Sequence, residues 1–442
     1  MAPHKSSIGV ELEFLVCTTQ TDGPLTPLDM FRSSKGAPAV LNAQDHHDGI
    51  IERVQSTIKK AVEQHRGSRV VQSEDEVNAD MSAWHLLFHQ DWSVGADMTI
   101  TFPDELKTQY GINDYTWYPM EISSPALWAT EDSWEEIRAV VQAIIDQYWI
   151  ITPESAGMHF HYGNGKDYIP FENLRRMAAM SFAVDPLIVQ LHAEHRRNNA
   201  HCVSNRLYSR VAHGRLAADA ATEIGATSVE AEPEIPGAEP GPAPLTRRPS
   251  HERTAGLSLP FRRGALAGYE FDQYLFKESV CENDPVPGKD PRPTDILTAV
   301  REILKCQNAP TVAELMSTSP IINNRHAYSF HHYIASRYKV YIRTRDGTDR
   351  LYQHRRTVEF RQPAATMVPE EVVAHGKITA RLCEFAAEAD LAAFWKVVND
   401  CAFGEEHGHW YDVFDLLADL GLIDEANYLA TQYFTTPVER QN

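Results

Sequence analysis

The chain has 442 residues, 43% of them hydrophobic, enough to bury one large core or two modest ones. Its 61 acidic against 41 basic residues give a net charge of −20, which argues against nucleic-acid binding and against docking on anionic lipid, while leaving room for a local basic pocket. Six scattered cysteines (Cys17, Cys202, Cys281, Cys306, Cys383, Cys401) form no CxxC pair, the pattern of reduced thiols in a cytoplasmic protein.

The opening MAPHKSSIGVELEF carries no apolar region ahead of a cleavage site, and no run of eighteen apolar residues occurs, so a soluble, cytoplasmic protein is expected. The first predicted strand, Ser7 to Thr18, alternates Glu11 and Glu13 with Val10, Leu12 and Phe14. A helix is predicted over His47 to His65, then strands over Trp84 to Trp92, Met98 to Phe102 and Pro119 to Ser123. Trp134, Ile137, Val141, Ile144, Ile145 and Tyr148 recur at helical spacing behind Thr130, which predicts a helix over Glu131 to Tyr148 with Thr130 as its N-cap. A strand at Gly157 to Tyr162 precedes a helix from Pro170 to Asn198, broken or kinked near Pro186.

Leu216 to Thr254 is rich in Ala, Glu, Pro and Gly and reads as a disordered insertion, with a shorter loop at Cys281 to Asp295. Strands at Tyr338 to Thr344 and Thr357 to Gln362 and a helix from Pro369 to Asp390 follow, then short C-terminal helices. The expected fold is α+β, an antiparallel sheet with helices packed on one side. It is read as a single domain over 1–215 and 255–442, interrupted by the insertion at 216–254.

Four of these segments project charged or metal-capable side chains: GVELEF (Glu11, Glu13), YPMEISSPAL (Glu121), SAGMHFHYGNG (His159, His161) and HRRTVEFRQPAAT (Arg355, Arg356, Glu359, Arg361). In ELE, HFH and EFR the functional groups lie two apart, so each pair points to one side of its strand. Same-face strand neighbours are roughly 6.5–7 Å apart, too far for one small ion to take both glutamates but suited to two ions side by side. Carboxylates converging from neighbouring strands would repel, and cations resolve the conflict. An oxygen-rich set with one imidazole suits Mg²⁺ or Mn²⁺ better than zinc, and the arginines call for an anion. Together these describe a nucleotide polyphosphate and a transferring phosphoryl group. Taken singly, YPMEISSPAL reads better as an ordinary strand before a Ser-Pro turn and HFH as partly exposed strand histidines. GVELEF and RRTVEFR fit a solvated strand face as well as a site; the co-occurrence of all four favours chemistry.

In that order, GVELEF, MEISSP, AGMHFHYG and RRTVEFRQPAAT resemble the signature strands of the glutamine synthetase and glutamate–cysteine ligase superfamily, and more closely its amidoligase branch. The resemblance implies a glutamine synthetase-like catalytic domain with a curved antiparallel sheet. It also implies a carboxylate–amine ligase in which ATP phosphorylates a carboxylate and an amine displaces phosphate. On that resemblance Glu11 and Glu13 are metal ligands, one to each site, and Glu121, His159 and Glu359 are further ligands of Mg²⁺ or Mn²⁺. His161 contacts substrate or nucleotide, and Arg361 stabilises the transferring phosphoryl group. Arg355 and Arg356 are secondary phosphate contacts, Arg325 of NNRHAYSF is another, and Asp91 of HQDWSV is a substrate contact. The implied partners are small-molecule or peptide carboxylates and amines.

No counterpart of the small N-terminal domain or of the ammonium-site segment of glutamine synthetase is recognisable, so ammonia and glutamate are not assigned as substrates. Two other readings remain open: a small-molecule phosphotransferase on the same fold, and a non-catalytic nucleotide-binding protein. HLLFH (His85 to His89) lacks the glutamate of a zinc-protease helix, and GNGKD (Gly163 to Asp167) reads as a turn rather than a phosphate-binding loop.

Overall fold

The computed structural model describes residues 6–19, 41–42, 47–66, 71–73, 91–105, 115–165, 167–197, 199, 201–225, 293–317, 325–333, 341–343, 349–351, 356–407 and 411–434. They fall in two compact units, one from Met1–His161, Val340–Gln353 and Pro363–Gly376, the other from Tyr162–Lys339, His354–Gln362 and Lys377–Asn442. Residues 84–90, 226–292 and Arg355 lie outside the described residues, and with them HLLFH, most of the predicted insertion and the Cys281 loop.

The first unit is built on an open, mainly antiparallel sheet. Its strands are β1 (Ser7–Thr19), β2 (Leu41–Asn42), β3 (Val71–Ser73), β4 (Trp92–Gly95), β5 (Tyr115–Ser123), β6 (Leu127–Trp128), β7 (Ile150–Ile151) and β8 (Met158–Gly163). The path runs β3, β4, β5, β1, β8, with the two-residue strands β2, β6 and β7 also paired to β1. β1 and β5 pair antiparallel over Glu11↔Ser123 to Thr19↔Tyr115. The ladder breaks where Ser124 leaves β5: its Oγ accepts the Val10 N–H at 2.9 Å and its own N–H donates to Val10 O at 2.8 Å. A separate antiparallel pair joins Tyr341–Arg343 to Asp349–Leu351.

Alternation sorts β1 into two faces. Val10, Leu12 and Phe14 are buried with Val94, Met120, Ile122 and Phe160. Helices α1 (His47–Arg66) and α2 (Glu131–Gln147) pack on this apolar side, where the Trp92 indole N–H donates to Glu136 of α2 at 3.0 Å. Thr130 is the N-cap of α2, its hydroxyl accepting from Ser133 N. The helix starting at Pro369 brings Gly376 against the same face, where an added Cβ would lie 2.7 Å from Trp134 and 3.1 Å from Phe160. Both rings are buried, so Gly376→Ala is expected to lower stability by about 1–3 kcal/mol through overpacking, measured by urea denaturation.

Met98 to Phe102 is not a strand. Asp97 Oδ1 accepts the Thr99 N–H at 2.8 Å and Asp97 O accepts the Ile100 N–H, which turns the chain. Ser155 Oγ then exchanges hydrogen bonds with the N–H and C=O of Thr101 at 3.0 and 3.1 Å, taking the place of a neighbouring strand. Ile100 drops into a small apolar cluster with Leu15, Cys17, Trp117, Trp149 and Ala156. The predicted strand Trp84 to Trp92 lies outside the described residues up to 90, and β4 begins at its last residue, Trp92.

The second unit is largely helical. Its α3 (Phe171–Ile188) is buried at nearly every position from Leu174 onward, as a helix apolar all round must be. Helices Ile296–Lys305, Ala309–Met316 and Leu391–Glu406 pack against it. The break expected near Pro186 is found: α3 ends two residues later at Ile188, tightens into a 3₁₀ turn at Val189–Leu191, and the chain resumes as a separate helix at Glu194–Arg197. The predicted insertion begins too early at Leu216, because Ala217–Glu223 is a helix, with Arg210 and Arg215 both bonded to Glu223 at 2.9 and 2.7 Å. Strand Val358–Phe360 pairs antiparallel with Tyr328–Ser329. Among the described residues no helix is long and apolar enough to cross a membrane.

Burial pushes His213 and His375 down to about 4 and His326 to about 3, against 6.5 for a free imidazole. Between pH 6.5 and 4 the unfolded chain therefore binds protons that the folded protein does not. Stability should fall as pH is lowered through that window, by up to about 1.4 kcal/mol per pH unit for each histidine. Thermal melts at neutral and mildly acidic pH test this; a flat profile would contradict it.

Candidate metal centre in the first unit

The register of the sheet assembles a row of acids on the face away from the helices. Glu13 stands directly opposite Glu121 and Glu121 opposite Gly95; one step along, Glu11 stands opposite Ser123 and Ser123 opposite Ser93. Directly opposed residues share a face with Cβ atoms about 5 Å apart, and like charges so placed repel. Asp97 follows Gly95 by two residues, and its carboxylate completes a group with Glu13 and Glu121 whose oxygens all lie within 4.8 Å of one another. Ser123 Oγ donates to Glu121 at 3.4 Å.

β8 supplies the imidazoles on the other side of β1. His159 Nδ1 lies 3.4 Å from Glu11 and its Nε2 3.5 Å from Glu13, so one ring spans both carboxylates. His161 Nε2 is 3.1 Å from Glu11. Glu13 also accepts the Gly157 N–H at 2.6 Å. All four side chains are buried, with Glu11 and Glu13 only 8% and 7% exposed. Carboxylates that close together and that far from water are costly without a compensating cation. Three oxygen donors in one group, with an imidazole beside it, match the donor preference of Mg²⁺ or Mn²⁺.

Five sequence-predicted residues, Glu11, Glu13, Glu121, His159 and His161, thus meet on one face of one sheet. Asp91 precedes β4 and is not part of the Glu13–Asp97–Glu121 group. Asp97 was not singled out by sequence reasoning, although Asp91, Ser93, Gly95 and Asp97 continue a period of two.

The remaining predicted residues belong to the second unit. Arg361 forms an ion pair with Glu359, and its Nε donates to His201 O at 3.3 Å. Arg325 meets the His201 ring at Nδ1. The Arg356 guanidinium lies 4.6 Å from the centre of the Tyr168 ring. Cys17, Cys202, Cys306, Cys383 and Cys401 are buried thiols outside any disulfide. Burial pushes Cys17 and Cys306 up to about 12, so neither supplies a thiolate nucleophile at neutral pH.

A family model described as "Putative amidoligase enzyme" matches residues 4–229, a little over half of the chain. The matched span includes Glu11, Glu13, Asp97, Glu121, His159 and His161; Arg325, Glu359 and Arg361 follow it. Searches of curated proteins and of solved structures found no match.

Proposed function

This chain belongs to the amidoligase family, and we propose that it is an ATP-dependent carboxylate–amine ligase working through an acyl phosphate at a two-metal site. The observation that carries the reading is the convergence of Glu13, Asp97 and Glu121 beside the Glu11–His159–His161 group. Ordinary strand faces do not bury opposed carboxylates. The open antiparallel sheet, with helices on its apolar face, supports a glutamine synthetase-like catalytic fold.

Glu13, Asp97 and Glu121 would hold one divalent cation, and Glu11 with His159 another. Bound there, Mg²⁺ or Mn²⁺ would neutralise the phosphate oxygens of ATP. Glu359 is assigned as a further metal ligand on its RRTVEFR strand, and the planar fork of Arg361 offsets charge on the phosphoryl group in flight. His161, Arg325, Arg355 and Arg356 are assigned to nucleotide or phosphate contacts, and Asp91 to substrate. The substrate carboxylate oxygen attacks the γ-phosphorus and ADP leaves. The uncharged amine then attacks the acyl carbon, phosphate leaves, and the amine nitrogen gives up a proton to form the amide. The substrates are a small-molecule or peptide carboxylate and an amine, in the cytoplasm.

Phosphorus NMR on the protein with ATP, Mg²⁺ and pooled amino acids and small amines tests the reading. ADP with free phosphate, formed only when acid and amine are both present, is expected. A new phosphoryl resonance without amide would indicate a phosphotransferase, AMP with pyrophosphate would overturn the acyl-phosphate mechanism, and nucleotide binding without any product would indicate a binding protein.

A further inference from the structure

We propose that Asp185, Arg196 and Gln362 are positioning residues for Arg361, forming a buried hydrogen-bonded bracket that fixes the backbone from which its guanidinium projects. The inference rests on the reading of Arg361 as the arginine that meets the transferring phosphoryl group. The strand carrying Glu359 ends at Phe360, so the next residues must find backbone partners elsewhere. Arg361 N–H donates to Ala327 O at 2.9 Å. The two carbonyls that follow are both taken by one side chain: Arg196 Nη2 donates to Arg361 O at 2.6 Å and Arg196 Nε to Gln362 O at 3.3 Å. Arg196 is 3% exposed, and its charge is spent on main-chain oxygens.

Gln362 closes the bracket from its side chain. Its Nε2 donates to Asp185 Oδ1 at 2.9 Å, while Asp185 Oδ2 accepts from Ser204 Oγ at 2.6 Å and from Arg206 N at 2.9 Å. Arg206 is itself held by Glu405 through two bonds of 2.8 and 2.9 Å. Asp185 has no solvent exposure. A buried carboxylate is a poor choice for packing alone, since apolar residues of like volume often stabilise more. What it supplies is direction: its three acceptor bonds tie α3 and the segment Ser204–Arg206 to the residue next to Arg361. A backbone rotation at Arg361 would be carried out to the end of a long side chain, where small displacements are expensive for phosphoryl transfer.

The test uses the full chain with Gln362→Met, which keeps the volume and deletes the amide donor. The double variant Asp185→Asn with Gln362→Glu rebuilds the bond with donor and acceptor exchanged, and leaves an oxygen at position 185 for Ser204 and Arg206. We expect the single variant to lower kcat by about ten- to a hundredfold with KM for ATP and melting temperature little changed, and the double variant to recover most of the loss. A single variant with wild-type kcat, or a double variant no better than the single one, would overturn the bracket. Should the wild-type protein show no ligase turnover, the functional reading fails by itself. Hydrogen exchange over residues 358–362 then decides the bracket: faster exchange in Gln362→Met, reversed in the double variant, supports it, and unchanged exchange refutes it.

Discussion

Mn²⁺ is expected to raise the melting temperature of the wild-type protein and to leave that of Glu13→Gln protein unchanged. Glu13 opposes Glu121 across the β1–β5 ladder, joins Asp97 in the same group and meets His159 on its other side. Binding to the folded state alone stabilises it by about 2.7 kcal/mol when free metal is about a hundred times Kd, a shift readily seen in a thermal melt. Removing one carboxylate from the group removes charge and a ligand together. The metal-free variant should be no less stable than the wild type, because the repulsion between opposed carboxylates is relieved and the amide oxygen can still accept the Gly157 N–H that Glu13 accepts now. Asp97→Asn should weaken the metal response in part, and Asp91→Asn should leave it unchanged. A full response in Glu13→Gln protein would place the cation elsewhere.

The strands that build this centre were legible because each is long enough, and alternates cleanly enough, for period two to show: Glu11 and Glu13 against Leu12 and Phe14, His159 and His161 against Phe160. Which residues face each other across strands is another matter. The pairing of Glu13 with Glu121 joins positions far apart in the chain, and nothing local to either segment encodes it. Asp97 escaped for a related reason: Gly95 interrupts the row of side chains, and the segment after it turns.

The alternation of Met98 to Phe102 misled because the same pattern also suits a loop that drops Ile100 into an apolar cluster, provided Ser155 satisfies the backbone. Pro186 was legible. A proline cannot donate the i→i−4 bond and crowds the carbonyl four residues back, and α3 ends two residues past it, at Ile188. The helix Ala217–Glu223 sits in a composition that argues for disorder, and it is fastened by arginines earlier in the chain, a long-range electrostatic term that composition does not carry. Glu359 and Arg361 stood out only through a local motif, and their ion pair shows how that motif arranges its charges.

Glu359→Ala should abolish turnover while leaving the protein folded. The strand that carries it is anchored from its other face: Val358 and Phe360 are buried, and Phe360 meets Tyr328 edge-on at 5.2 Å within the strand pair. The alanine keeps that ladder and removes only the carboxylate, at a cost of about 1.5–3 kcal/mol for the lost charge-assisted bond to Arg361. The chemical consequence is larger, because Glu359 is assigned both to a cation and to holding Arg361, so one substitution removes two sources of charge stabilisation. Loss of even one such interaction costs about 10²–10³-fold in kcat, which puts the double loss below detection in a phosphate-release assay. Arg361→Lys separates the two roles. It keeps the positive charge and the Glu359 carboxylate but loses the planar fork, so a residual rate well above that of Glu359→Ala is expected. Circular dichroism on both variants guards against unfolding. Folded Glu359→Ala protein with wild-type turnover would remove Glu359 from the machinery, whereas equal loss in both variants would mean that the arginine's geometry, rather than the carboxylate's ligation, limits the rate.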